Sequence, residues 1–205
     1  MKHIILILIM IIIFSCDKGK ADVTIRGVIF DSSLSAPLSN AIIKVYQVQS
    51  GSPNELVTQT NTNSNGEYSL TFKRNPTEFY NIISEKDNYF DLNETISFSD
   101  ITIEDENVYN FSTTAISWVK LNFINSSGQS SDVLRYIKQE GKSGCNNCCP
   151  NGEQFLYGIV DTSLVYLNDG NFNFSYQYYL IGTANQGLKS CQTDAFDTTD
   201  INLFY

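Results

Sequence analysis

The 205-residue sequence has a single histidine, His3, and few basic residues. His3 lies in an N-terminal segment that we expect to be removed, so the mature chain should contain no histidine. A chain without imidazole has no Ser-His-Asp or Cys-His catalytic group and no His-ligated metal. Thirteen Lys and Arg against 22 Asp and Glu give a formal net charge of -9. The chain therefore lacks the cationic surplus that binds nucleic acid.

The N-terminus has no apolar run long enough to span a bilayer. Eleven apolar residues at positions 4–14 follow a short basic start, whereas a membrane-spanning helix needs about twenty. The run is typical of a secretory signal peptide, which we place at residues 1–15. Its end, Ile13-Phe14-Ser15-Cys16, resembles the bacterial lipobox. That resemblance implies cleavage before Cys16, acylation of Cys16 and membrane attachment through the lipid.

Beyond a polar tether at residues 16–22, the chain shows β patterning throughout. Short stretches rich in Val, Ile, Tyr and Phe alternate with Asn, Ser, Gly and Asp clusters. Tyr68, Leu70 and Phe72 alternate with polar residues, as in a strand with one solvent-exposed face. We predict an all-β protein of two consecutive antiparallel β-sandwiches, at residues 23–112 and 113–205.

Six segments of the first half together resemble one known domain family. They are GVIFD (27–31), APLSNAIIKV (36–45), TQT (58–60), NGEYSL (65–70), YNIIS (80–84) and NY (88–89). The resemblance is to the carboxypeptidase regulatory-like domain, a transthyretin-like (prealbumin-like) sandwich, over about residues 22–95. Asn40 and Asn88 stand where the family has glycine, and Asn tolerates positive φ better than most residues. The resemblance implies a structural or binding module and transfers no catalytic residue.

Two aromatic features of the second half are candidate ligand contacts. Phe172, Phe174, Tyr176 and Tyr178 share one face of a predicted strand. Such a row could stack on sugars, but regular alternation favours the buried side of a sheet. Trp118 is out of phase with the apolar residues beside it, which makes it a candidate exposed ligand contact.

Four cysteines remain after Cys16, namely Cys145, Cys148, Cys149 and Cys191. An even number in an exported chain indicates disulfides. A bridge between the adjacent Cys148 and Cys149 is strained, so we expect one of that pair to join Cys191. A four-thiolate zinc site and a thioredoxin-like redox motif are the alternatives, but Cys191 has no neighbouring cysteine and no helix follows Cys148.

Two acidic clusters are candidate metal sites. They comprise Asp100, Glu104, Asp105 and Glu106 in one segment, and Asp194, Asp197 and Asp200 in another. Neither has the spacing of an EF-hand loop, so we expect solvated loops, with no metal and no cofactor.

Two classes of function follow. The first is a non-enzymatic, lipid-anchored envelope protein with a binding or assembly role, accessory to outer-membrane uptake or adhesion. A glycan or envelope protein is the partner that the family resemblance implies. The second is an envelope glycoside hydrolase with paired carboxylates, whose pairing in space a sequence does not reveal.

Overall fold

The computed structural model describes residues 21–205 as an all-β protein. The signal peptide predicted at residues 1–15, the predicted lipid-attachment residue Cys16 and residues 17–20 of the tether lie outside the described residues. Across residues 21–205, no helix is long and apolar enough to cross a membrane. The helical structure in this range is a single 3₁₀ turn at Phe98–Asp100.

The first half of the described chain forms two sheets. Its strands are β1 (Asp22–Asp31), β2 (Ala36–Pro37), β3 (Ile42–Val48), β4 (Glu55–Asn61), β5 (Glu67–Lys73), β6 (Phe79–Glu85), β7 (Leu92–Ser97), β8 (Asn107–Val108) and β9 (Phe111–Thr113). β1 pairs antiparallel with β2 and β5, and parallel with β8 and β9. The second sheet has the order β4-β3-β6-β7.

These two sheets enclose one apolar core. The predicted alternation on β5 is confirmed, because Tyr68, Leu70 and Phe72 are buried while the residues between them are exposed. They pack with inward residues of β1, β3 and β6 in a single cluster. This arrangement is a β-sandwich, as predicted.

Two turns of the first sandwich have asparagine at a position with left-handed backbone. Asn40 has φ 56° and Asn88 has φ 63°, both in the left-handed region. Asn adopts this region at lower cost than branched or bulky residues do. Both asparagines are therefore compatible with the turns in which they lie.

The second half also forms two sheets. Its strands are β10 (Ile116–Ile124), β11 (Val133–Glu140), β12 (Gln154–Tyr157), β13 (Asp161–Asp169), β14 (Asn173–Leu180), β15 (Gln186–Gln192) and β16 (Thr198–Phe204). One sheet has the order β13-β10-β16 and the other β12-β11-β14-β15. β16 runs parallel to β10, so this sheet is mixed rather than purely antiparallel.

A cluster of aromatic rings fills the space between these sheets. The Phe123 and Tyr136 ring centroids lie 4.9 Å apart, and Tyr176 lies 5.8 Å from each of them. Edge-to-face and tilted contacts of this kind add to the burial of the rings themselves. The second half is therefore a sandwich with its own core.

Direct contacts join the two sandwiches. The Asn171 side chain donates a hydrogen bond to the Ser33 carbonyl (2.8 Å), and the Ser33 hydroxyl accepts one from the Ala115 amide (2.9 Å). The Tyr89 and Phe196 rings meet edge to face with centroids 5.4 Å apart. Phe196 holds an uncommon positive φ of 67° in this contact. The two sandwiches therefore meet through a packed junction.

Candidate binding face

The solvent side of sheet β12-β11-β14-β15 is unusually apolar. Side chains alternate along each strand, so the residues beside the buried Leu134 and Tyr136 point outward. The pairing registers place these outward residues in three rows across the sheet. Ile181, the residue after β14, joins the first row because its amide donates a hydrogen bond to the Val133 carbonyl. We call this surface the aromatic face; its residues are Tyr157, Val133 and Ile181 in the first row, Phe155, Arg135, Tyr179 and Gln186 in the second, and Ile137, Gln177 and Leu188 in the third.

Several large apolar residues of the aromatic face are open to solvent. Tyr157 is 70% exposed, Leu188 62% and Ile181 53%. The solvent side of an antiparallel sheet is normally polar. A contiguous exposed apolar patch on a folded protein marks an interaction surface.

The two aromatic rings on β12 lie side by side. Phe155 and Tyr157 have ring centroids 6.2 Å apart and planes only 22° apart. Gly158 follows them with φ 76° and ends the strand. The two rings thus have similar orientations at one edge of the aromatic face.

Arg135 lies in the middle row and is held from two sides. Its guanidinium carbon lies 4.5 Å from the centre of the Tyr179 ring, and its Nη1 donates to Glu153 Oε1 at 3.0 Å. Its Nε is buried and has no hydrogen-bond partner among the described residues. Arginine carries five N–H donors in a planar fork. Arg135 is therefore an oriented cation with N–H donors that Glu153 does not use.

The outer side of the opposite sheet is different. There Asn122 Nδ2 donates to both Asp200 Oδ1 and Asn202 Oδ1 at 2.8 Å, and the Ser163 hydroxyl donates to Asn122 Oδ1 at 2.5 Å. Lys120 pairs with Asp200 at 3.5 Å. The middle of this side is a hydrogen-bonded polar ladder, with the half-buried Trp118 and Leu167 at one end. Its exposed apolar residues are on separate edge strands, Val165 on β13 and Phe204 on β16.

The predicted aromatic candidates lie outside the aromatic face. Phe174 and Tyr176 are fully buried and Tyr178 packs against the same core, as the preferred interpretation predicted, while Phe172 is exposed. Trp118 is half-buried on the outer side of β10, beside Leu167 and Thr198. Phe155, Tyr157 and Tyr179 were not predicted as ligand contacts. The available signal was the run Tyr178-Tyr179-Leu180-Ile181, where apolar residues occupy both sides of a strand.

The expected pairing of Cys191 is wrong. Cys145 and Cys148 form the disulfide, and Cys149 and Cys191 are free thiols. A tight turn, in which the Cys148 amide donates to the Cys145 carbonyl, brings those two Cα atoms to 5.2 Å. Cys149 is buried in the core, and Cys191 lies opposite Phe174 on β15. The zinc alternative also fails, because two of its four thiolates are bonded to each other.

We expect thiol counting to find one disulfide and two thiols that are alkylated slowly among these four cysteines. Burial raises the pKa of Cys149 to about 11 and also raises the pKa of Cys191. Since the thiolate is the reacting form, both should be alkylated slowly at pH 8, the buried Cys149 more slowly than the half-buried Cys191. Mass spectrometry of native and denatured protein, each without reductant, tests this. Four alkylated cysteines in the denatured sample, or none, would contradict the assignment.

The predicted acidic clusters do not converge on a metal site. Over the described part of the chain, no group of three or more Asp, Glu, Cys or His side chains has the arrangement of a metal site. Glu106 forms an ion pair with Arg26, and Asp200 belongs to the polar ladder described above.

No protein-family model and no curated protein matches the chain. Among solved structures, it is similar to a mutant of the shaft pilin spaA from Lactobacillus rhamnosus GG (9% identity, TM-score 0.37), covering 90% of this chain and 98% of the pilin. It is also similar to the Bacillus anthracis TIE protein, with 13% identity and a TM-score of 0.37, over 90% of this chain and 34% of that protein. A third similar structure is 3-chlorocatechol 1,2-dioxygenase from Rhodococcus opacus, with 15% identity and a TM-score of 0.34. The match covers 48% of this chain and 61% of the dioxygenase. The chain thus spans less than two thirds of the last two proteins, and these scores are too low to transfer a function.

Proposed function

We propose that the protein is a lipid-anchored, non-enzymatic protein of the bacterial cell envelope that binds a partner through the aromatic face. The observation that carries the binding role is the set of exposed apolar residues in adjacent rows of one sheet. On the outer side of the opposite sheet, the exposed apolar residues Val165 and Phe204 lie on separate edge strands with a polar ladder between them. The aromatic face is therefore the larger group of exposed apolar residues in this sandwich.

The envelope location rests on the N-terminal sequence. The short apolar run and the lipobox-like Ile13-Phe14-Ser15-Cys16 support export and acylation at Cys16. More than one acyl chain gives stable attachment, which a single chain does not. We place the protein at the outer membrane or cell surface. We also propose that the first sandwich is a carboxypeptidase regulatory-like domain that holds the second sandwich away from the membrane.

The anchor has a direct test. In the full chain, Cys16→Ala should abolish fatty-acid labelling, leave an uncleaved precursor and reduce lipid-dependent retention in membranes. Ser15→Ala is the matched control, because alanine is also small and should preserve cleavage and labelling. Labelling of the Cys16→Ala chain equal to that of the unmodified chain would contradict the proposal.

A second test examines the aromatic face in cells. Replacing Tyr157 with the photo-reactive p-benzoyl-phenylalanine should give an adduct with an envelope component on illumination. The same replacement at Phe204, on the opposite sheet, should not give that adduct. Equal adducts from both positions would contradict a binding role for the aromatic face.

A further inference from the structure

We infer that the aromatic face binds a neutral polysaccharide chain, an inference that rests on the proposed function. The occupant must match a flat surface that combines open aromatic rings, an oriented hydrogen-bond donor and little net charge. A pyranose ring has C–H groups on its faces and hydroxyls around its rim. It therefore offers apolar and polar groups in the same combination as the aromatic face.

The rings on β12 supply the apolar half of this recognition. The face of an aromatic ring carries negative charge density, which attracts the weakly positive C–H groups of a sugar. Phe155 and Tyr157 have centroids 6.2 Å apart and similar orientations, and Tyr157 is largely open to solvent. Two neighbouring rings of this kind suit successive units of one extended chain better than a single small molecule.

Arg135 supplies the polar half. Contact with Tyr179 and the hydrogen bond to Glu153 fix the guanidinium before any ligand arrives, so little side-chain freedom is lost on binding. The planar fork of donors suits two neighbouring hydroxyl oxygens. Gln186, on the far edge strand of the same row, adds an amide that both donates and accepts.

The charges of the protein favour a neutral glycan over an acidic one as the ligand. The positive charge of Arg135 is already balanced by Glu153, and the chain as a whole carries a net charge of -9. An anionic polysaccharide would be repelled by the protein without gaining a free cation in return. The charge pattern therefore favours uncharged sugars.

The size of the aromatic face argues against a second copy of the chain as the occupant. Four strands and three rows cover about 20 Å by 20 Å, from the spacing of strands and of alternate residues. Two such surfaces would bury roughly 800 Å², whereas stable interfaces bury about 1,200–2,000 Å². A polysaccharide needs only a strip of the surface, because it gains affinity from repeated contacts along its length.

Affinity electrophoresis of the full-length protein in non-ionic detergent tests the inference. The gels would contain laminarin, xylan or hydroxyethyl cellulose as neutral probes, and alginate as the acidic probe. We expect retardation by at least one neutral polysaccharide and none by alginate. Tyr157→Ala and Phe155→Ala should each weaken that binding about tenfold, a change of about one unit in log Kd. Arg135→Gln should also weaken it, whereas Phe204→Ala, which removes an exposed ring from the opposite sheet, should not.

Each outcome supports or overturns the inference. Circular dichroism first establishes that each variant is folded. Absence of retardation by every neutral probe, equal loss in Phe204→Ala, stronger binding to alginate, or dimerisation through position 157 in sedimentation would overturn it. Release of reducing ends from a bound probe would favour the hydrolase alternative and contradict the proposed function. A cross-link from position 157 to an envelope protein, without retardation, would overturn the polysaccharide inference but leave the proposed function intact.

Discussion

Replacing Gly27 with alanine is expected to cost the first sandwich about 3 kcal/mol, the upper end of typical overpacking effects. Gly27 lies within β1, where the chain between β8 and β9 crosses directly over it. A Cβ atom at this position would lie 1.7 Å from the Tyr109 carbonyl oxygen and 3.1 Å from the Tyr68 ring. The first of these neighbours is backbone, so a rotamer change cannot relieve the clash. Urea unfolding followed by circular dichroism measures the loss.

Gly152→Ala is the matched control for this substitution. A Cβ atom at Gly152 would have no heavy atom within 4 Å, and the φ of this glycine is not in the left-handed region. Its replacement should change the free energy of unfolding by less than about 0.5 kcal/mol. Trp118, the single tryptophan of the chain, lies in the second sandwich and reports separately on that half. Equal urea midpoints for the Gly27→Ala and Gly152→Ala variants would contradict the close packing of Gly27 against Tyr109.

Strong alternation made most strands predictable from local sequence. β5 alternates apolar and polar residues without interruption, and its burial follows that pattern residue by residue. β15 is not predictable from its own sequence, because Gln186–Gln192 contains few residues with high strand propensity. It forms because its backbone completes the hydrogen bonds of β14, which is a tertiary effect. Likewise, the apolar-rich stretch at 154–161 is divided at Gly158, whose positive φ turns the chain between β12 and β13.

The candidate site was less predictable than the fold. On β14 the alternation correctly indicates that Phe174 and Tyr176 face the core. It does not show that the outward Tyr179 lies beside Arg135, which is set by the register between β14 and β11. The aromatic face also joins residues from four strands, and their adjacency depends on strand order. Neither register nor strand order can be read from the spacing of residues in one segment.

The cysteine assignment failed for a local reason. The expected bridge to Cys191 rested on the strain of an adjacent cysteine pair. A tight turn at residues 145–148, which the spacing alone does not reveal, brings Cys145 and Cys148 to bonding distance. Cys149 then behaves as a small apolar core residue, which is common for free cysteine.

Alkaline pH is expected to unfold the protein cooperatively between roughly pH 11 and 12, given an ordinary stability of about 5–15 kcal/mol. Burial raises the pKa of Tyr68, Tyr89, Tyr136 and Tyr176 well above the usual value. Unfolded tyrosines ionise near pH 10, while these stay neutral in the fold. The folded state therefore binds more protons above pH 10, and stability falls by about 1.4 kcal/mol per such tyrosine per pH unit.

Tyr136→Phe tests the origin of this loss. The variant keeps the ring that packs on Phe123 but removes the hydroxyl that hydrogen-bonds Tyr166 at 3.0 Å. At pH 7 it should lose about 1 kcal/mol of stability, the usual value of one hydrogen bond. Between pH 10 and 12 the stability of the variant should fall less steeply than that of the unmodified chain. The difference between the two slopes should be about 1.4 kcal/mol per pH unit, the contribution of one buried tyrosine. Circular dichroism and tyrosinate absorbance should change together; complete tyrosine ionisation in a chain that keeps its β spectrum would contradict the prediction, because buried tyrosines can ionise fully only after the sandwiches open.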